Sequence, residues 1–193
     1  MKIVKPELRI LPFKSSKDWS KWLVKNHSSS NGIWLKFFKK NSCIRSIVYS
    51  EAVDEALCYG WIDGQAKSFD DQAYLQRFTP RRTKSIWSKR NIENIKRLSD
   101  EDRMKPSGLK EVESAKTDGR WDQAYDSPSN AKVPDDFLKQ LSKNKKSKAF
   151  FATLNKTNLY AITWRLQTAK KPKTRLKRMK IILEMLAEEK KFH

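Results

Sequence analysis

The sequence predicts an α+β protein: a small antiparallel sheet with packed helices, followed by a C-terminal helical bundle. Three observations carry that reading. Over residues 1–125, apolar runs that alternate like strands are interleaved with runs at helical spacing. Residues 126–134 (DSPSNAKVP) are rich in Ser, Pro and Asn and nearly lack apolar side chains, as a linker does. Over residues 135–193 every apolar stripe falls at helical spacing.

The first element is a helix opened by Ser15 or Ser16, with Trp19, Trp22 and Leu23 on its apolar side. Turn chemistry from Asn26 to Gly32 ends it. Ile33 to Phe38 is aromatic and branched, and puts Ile33, Leu35 and Phe37 on one face of a strand. Ser50 is the expected cap of a second helix. Glu51, Asp54 and Glu55 lie near its positive end, Val53, Ala56 and Leu57 form its stripe, and Gly60 ends it. Strands follow from Trp61 to Phe69 and from Ala73 to Thr79, about an Asp70-Asp71 turn. Pro80 stops the pairing because it has no N–H to donate. Ser88 opens a helix carrying Ile92, Ile95 and Leu98. Ser107 opens one carrying Leu109, Val112 and Ala115, closed by Asp118-Gly119. That makes about three strands with helices on one face.

Beyond the linker the stripes are Phe137, Leu138 and Leu141, then Phe150, Phe151 and Leu154, then Leu159, Ile162 and Leu166. The last is Leu176, Met179, Leu183 and Leu186, capped by Thr174 after Pro172.

Composition narrows the setting. The 193 residues have a mean hydropathy of −0.80, and no apolar run approaches the ~18–20 residues of a membrane span. Met1 to Phe13 lacks the apolar core of an export signal, and Cys43 and Cys58 make no disulfide framework, so a reduced cytoplasmic setting is expected. No disulfide between the two is expected either. The net charge is +20, which attracts nucleic acid, anionic lipid or acidic protein without choosing among them. It also serves solubility alone. The excess is concentrated: fourteen Lys/Arg and no acid from Phe137 to Leu183, and eight against one from Arg77 to Arg97.

Several segments together carry a family resemblance: WSKWL (19–23), GIWL (32–35), YSEAVDEALCYGWIDG (49–64), FTPRRTKSIWSKRN (78–91), AKTDGRWDQAY (115–125) and TRLKR (174–178). With them the chain resembles the YdeI/OmpD-associated family, also called bacteriocin-protection proteins, over nearly its whole length. The resemblance implies a mixed α and β bacterial protein with a helical C-terminal region of that type. The family name implies a role in tolerance of bacteriocins or antimicrobial peptides, and a link to an outer-membrane porin or the envelope. It supplies no catalytic residues.

The densest polar-aromatic group is Trp61, Asp63, Arg81, Arg82, Trp87 and Arg90, with Arg120 and Trp121 as a second pair. If the strands on either side of Asp70-Asp71 pair, Asp63 faces Arg81 or Arg82. An arginine fork between aromatic walls receives a carboxylate, a phosphate or a planar base. The competing reading packs the tryptophans in the core and pairs Asp63 with one arginine for structure. The lysines Lys145, Lys146, Lys148, Lys170, Lys171 and Lys173 form an expected anion-binding face, and nucleic acid is the alternative partner there. Phe150, Phe151, Tyr160 and Trp164 interleave with that charge, although their helical spacing equally suits a bundle core.

Catalytic chemistry is less supported. His27 and His193 lack sequence neighbours that would activate them. No CxxC, zinc spacing, P-loop, GxGxxG or nucleophile elbow occurs. An enzyme with Asp63 and Arg81 in a cleft stays as a further alternative. The expectation is an accessory protein of stress tolerance, without metal or cofactor, binding an anionic ligand or peptide through the aromatic/Arg group.

Overall fold

The computed structural model describes residues 7–193. The first six residues of the stretch read for an export signal lie outside the described residues. The chain forms two compact units: one runs to Trp87 and resumes over Asn91–Gln123, the other comprises Ser88–Arg90 and Ala124–His193.

In the first unit, α1 (Ser16–Asn26) begins where the Ser15 hydroxyl accepts from the Asp18 N–H at 3.2 Å. A short strand β1 (Ile10–Pro12), unforeseen because three residues show no alternation, runs parallel to β2 (Ile33–Phe38). Two longer strands, β3 (Trp61–Ser68) and β4 (Ala73–Pro80), follow the helix α2 (Tyr49–Cys58), and the sheet order is β1-β2-β4-β3. The sheet is therefore mixed and four-stranded, where an antiparallel one of about three strands was expected.

Ile33, Leu35 and Phe37 occupy one sheet face with Phe78, all buried. α1 and α2 supply the other side of this core. Trp19 stacks on Trp22, meets Phe78 and Trp61 edge-on, and donates its indole N–H to the Ala52 carbonyl at 3.1 Å. α2 starts a residue before the expected cap. Val48 holds the capping position and donates its N–H to Glu51, so Ser50 lies inside the first turn.

After α3 (Lys89–Asp100), which buries Ile95 and Leu98, α4 (Pro106–Thr117) starts on Pro106 rather than on a Ser107 cap. Its buried stripe is Gly108, Val112 and Ala115, while the expected Leu109 is exposed. The register is set by Gly108: a Cβ there would stand 2.3 Å from the Cys58 carbonyl oxygen, so only glycine lets α4 meet the end of α2. Ion pairs reinforce this side. Arg97 bonds Asp54 at 2.6 Å and Glu101 at 3.1 Å, and Arg103 bonds Glu55 at 2.7 Å and Glu101 at 3.0 Å.

The second unit is helical: α5 (Asp135–Leu141), α6 (Lys145–Ala152), α7 (Lys156–Gln167) and α8 (Pro172–Ala187). Phe137, Leu141, Ile162, Leu166, Ile182 and Leu186 fill its core. Leu138 and Leu176, expected in the stripes, are exposed. Asn144 and Asn155 side chains cap α6 and α7. α8 begins on Pro172, not on a Thr174 cap. The segment read as a linker starts on an anchored residue, since Asp126 pairs with Lys89 at 2.7 Å and accepts from Gln167 at 2.7 Å.

Candidate functional site

The fold divides the expected polar-aromatic group. The antiparallel register sets Trp61 opposite Pro80 and Asp63 opposite Phe78, and the Arg81 N–H donates to the Gly60 carbonyl at 3.0 Å at the end of the ladder. Trp61 joins the Trp19–Trp22 cluster and donates to the His27 carbonyl at 3.0 Å. The Asp63 carboxylate accepts from the Tyr49 hydroxyl at 2.6 Å. Its hydrogen-bond partner is thus a phenol of α2 and not Arg81 or Arg82, because Asp63 shares the helix-covered face with Phe78.

Arg81 and Trp87 do meet. The Arg81 guanidinium carbon lies 3.5 Å from the Trp87 ring centre, and Trp87 packs on Trp121 with centroids 5.1 Å apart. Both Arg81 and Trp87 are buried. Arg120 is buried too, and each of its three guanidinium nitrogens has a protein partner. Nε donates to Asp118 at 2.7 Å, Nη1 to the Ser85 carbonyl at 3.0 Å and Nη2 to the Ser114 hydroxyl at 3.2 Å. That geometry clamps the 81–87 loop onto the end of α4. Arg82 is exposed on the same loop, and its backbone N–H donates to Ser85. Arg90 is exposed and belongs to the second unit.

A cation-bearing surface that the sequence reading missed lies on the second face of the sheet. Trp34 stands opposite Arg77, and Lys36 and Lys67 stand on either side of Leu75. The Lys67 ammonium sits 4.4 Å from the Trp34 ring centre. Lys36 sits 4.9 Å from that of Phe38 and 4.4 Å from that of Phe69. A bulge puts Gly64 and Gln65 across from Arg77, and a Cβ at Gly64 would be 3.3 Å from the Arg77 Nε. Glycine thus makes a seat for this guanidinium. Its Nε is buried and has no hydrogen-bond partner among the described residues. The acid at this corner is Asp70, 3.3 Å from Lys36. The signal was present in the alternation of Ile33 to Phe38: one set of positions is apolar, and the other reads Trp34, Lys36, Phe38.

In the second unit, Lys145, Lys146, Lys148, Lys170, Lys171 and Lys173 are all exposed. Lys146 lies 3.6 Å from Glu189 and Lys180 3.8 Å from Glu184, and Arg175 pairs with Asp136, so the acid-free tract draws its counter-charges from just outside its own ends. Both cysteines are free. Burial pushes the Cys58 thiol up to about 11, as suits a small apolar side chain and not a nucleophile.

A basic α+β protein, with a helix-backed mixed sheet in one unit and a helical core in the other, is the class these features define. The chain belongs to the family described as Domain of unknown function (DUF8412), which matches residues 11–111, and residues 130–189 form a domain of the family described as Bacteriocin-protection, YdeI or OmpD-Associated. The segments 19–23, 32–35, 49–64 and 78–91, which carried much of the resemblance, fall in the first match. TRLKR falls in the second. No curated protein and no solved structure matches the chain. No helix among the described residues is long and apolar enough to cross a membrane.

Proposed function

We propose that the protein is an accessory factor in bacteriocin tolerance, acting in the cytoplasm by holding an anionic partner. The bacteriocin-protection domain at 130–189 supports the first part, and two free cysteines accord with a reduced compartment. The observation that carries the anionic partner is the second face of the sheet. There Lys36, Lys67 and Arg77 stand among Trp34, Phe38 and Phe69. Cations parked on ring faces are exchangeable: an arriving anion takes the ammonium while its planar groups take the ring. A chain of charge +20 repels a cationic peptide, so protection by direct capture of such a peptide is disfavoured on electrostatic grounds. Competition for the anion that the peptide would bind is consistent with the charge.

Nucleic acid is the second reading. It is favoured by Lys145, Lys148, Lys170, Lys171 and Lys173, exposed and without an ion pair among the described residues. Fluorescence anisotropy with labelled single-stranded RNA, DNA and an acidic peptide at two salt concentrations tests both readings. Binding that weakens with salt and is lost in Lys36→Glu/Lys67→Glu places the partner on the sheet. Loss in Lys145→Glu/Lys148→Glu instead favours nucleic acid on the helices. No binding to any probe at low salt would remove the anionic partner from the reading.

A further inference from the structure

The second unit has a cavity of about 260 Å³ between α7 and α8, lined by Trp164, Arg165, Arg178, Ile181, Ile182 and Phe192. Arg165 lies on Phe192, with its guanidinium carbon 3.9 Å from the ring centre, and its Nη1 donates to the Ala161 carbonyl at 3.1 Å. The Arg178 Nη1 donates to the Arg165 carbonyl at 2.7 Å and the Thr168 hydroxyl at 3.1 Å. The Nε and Nη2 of both arginines have no acceptor among the described residues, and neither arginine is paired with a carboxylate there. Arg175, three residues before Arg178, is bonded by both Nη atoms to Asp136. The contrast shows that α8 can satisfy an arginine with an acid and does not do so at the cavity.

Half-buried like charges side by side oppose each other. Burial and the neighbouring Arg178 both lower the pKa of Arg165. The site is nonetheless held in shape. Asn158 is 1% exposed; its Oδ1 accepts from the Phe192 and His193 N–H groups at 3.0 and 3.1 Å, and its Nδ2 donates to Asn155 at 2.9 Å. Phe192 is thereby fixed as a wall against which Arg165 lies.

We propose that this cavity is a binding site for a small oxyanion carried on a flat apolar body, with Arg165 and Arg178 on the oxyanion and Trp164, Ile182 and Phe192 on the body. The free Nε–Nη2 edges match the two oxygens of a carboxylate or of a phosphate ester. The space equals roughly nine waters, which limits the body to about one ring. This site belongs to the second unit and the sheet face to the first, and it goes beyond the reading of an anionic partner on the sheet.

Calorimetric titration of the full chain with phenylacetate, phenyl phosphate and the neutral phenylacetamide tests it. The expected result is saturable binding of at least one oxyanion, none of phenylacetamide, and affinity weakened about tenfold or more in Arg165→Gln and Arg178→Gln. Phenylacetate alone would assign a carboxylate, phenyl phosphate alone a phosphate ester, and both the shared chemistry. Circular dichroism checks each variant. Arg178 also bonds the end of α7, so if Arg178→Gln unfolds, Arg165→Gln decides. Neither oxyanion binding, equal binding of phenylacetamide, or unchanged affinity in Arg165→Gln overturns the proposal. None of the three probes is a polyanion, so failure here leaves the sheet-face experiment standing.

Discussion

Arg120 in the first unit is buried and Arg165 in the second is half-buried, and they end in opposite surroundings. Arg120 has Asp118 on Nε, a carbonyl on Nη1 and a hydroxyl on Nη2. Arg97 and Arg103 of the same unit each hold two carboxylates. Arg165 holds one carbonyl of its own helix, beside a second arginine. A guanidinium with every edge occupied joins segments of the fold. One left with an open edge in an apolar cavity costs stability in the free protein and has that edge available for something else. What separates the two roles is the partner inventory.

The largest effect that would break this comparison is on stability. Arg120→Ala should cost about 3 kcal/mol, because it leaves the Ser85 carbonyl without its donor and releases the 81–87 loop. Arg165→Met should cost nothing or stabilise, since it removes an unpaired half-buried charge. Urea denaturation of both variants decides, and equal losses would erase the distinction drawn between them. Next, Asn158→Ala should cost about 2 kcal/mol by stranding the Phe192 and His193 N–H groups, and should weaken any probe bound against Phe192. Stability with normal probe affinity would detach Asn158 from the cavity.

A pH effect sharpens the first unit's side. Cys58 titrates near 11 when folded, against 9.0 in an ordinary environment. The unfolded chain therefore loses this proton first. The stability contribution is complete below pH 9 and is lost as pH rises to about 11, on the order of 2 kcal/mol. Cys58→Ala should flatten that alkaline decline, and an unchanged slope would assign it elsewhere. The smallest effect is expected from Lys145→Glu/Lys148→Glu, which should move stability by only about half a kcal/mol. A larger loss in thermal melts would mean that these lysines support the bundle.

Much of the fold was legible in the sequence. Ser15, the alternation of Ile33, Leu35 and Phe37, and the Asp70-Asp71 turn each encode local geometry, and the elements stand where those residues put them. Leu109, Leu138 and Leu176 misled because a stripe read by period alone does not reveal which flank another segment covers. At α4 the answer lay in Gly108, whose missing side chain fixes the close approach. The expected site was less legible. Asp63 and Arg81, expected to pair, turn to different partners: Asp63 to Tyr49 on the helix-covered face, Arg81 to Trp87. Arg165, Arg178 and Phe192 met through helix packing, which no local motif marks.

The bulge at Gly64-Gln65 has a consequence at the margin of the sheet. β3 is an outer strand, and its residues from Gly64 to Ser68 are exposed. An unbroken outer strand is a template on which another chain can add itself. Here the row of backbone donors and acceptors is interrupted at the bulge, and the charged Lys67 follows after Ala66. A second molecule approaching edge to edge would meet a mismatched ladder and a field of its own sign. The same kink that seats Arg77 thus makes this edge a poor template for a further strand.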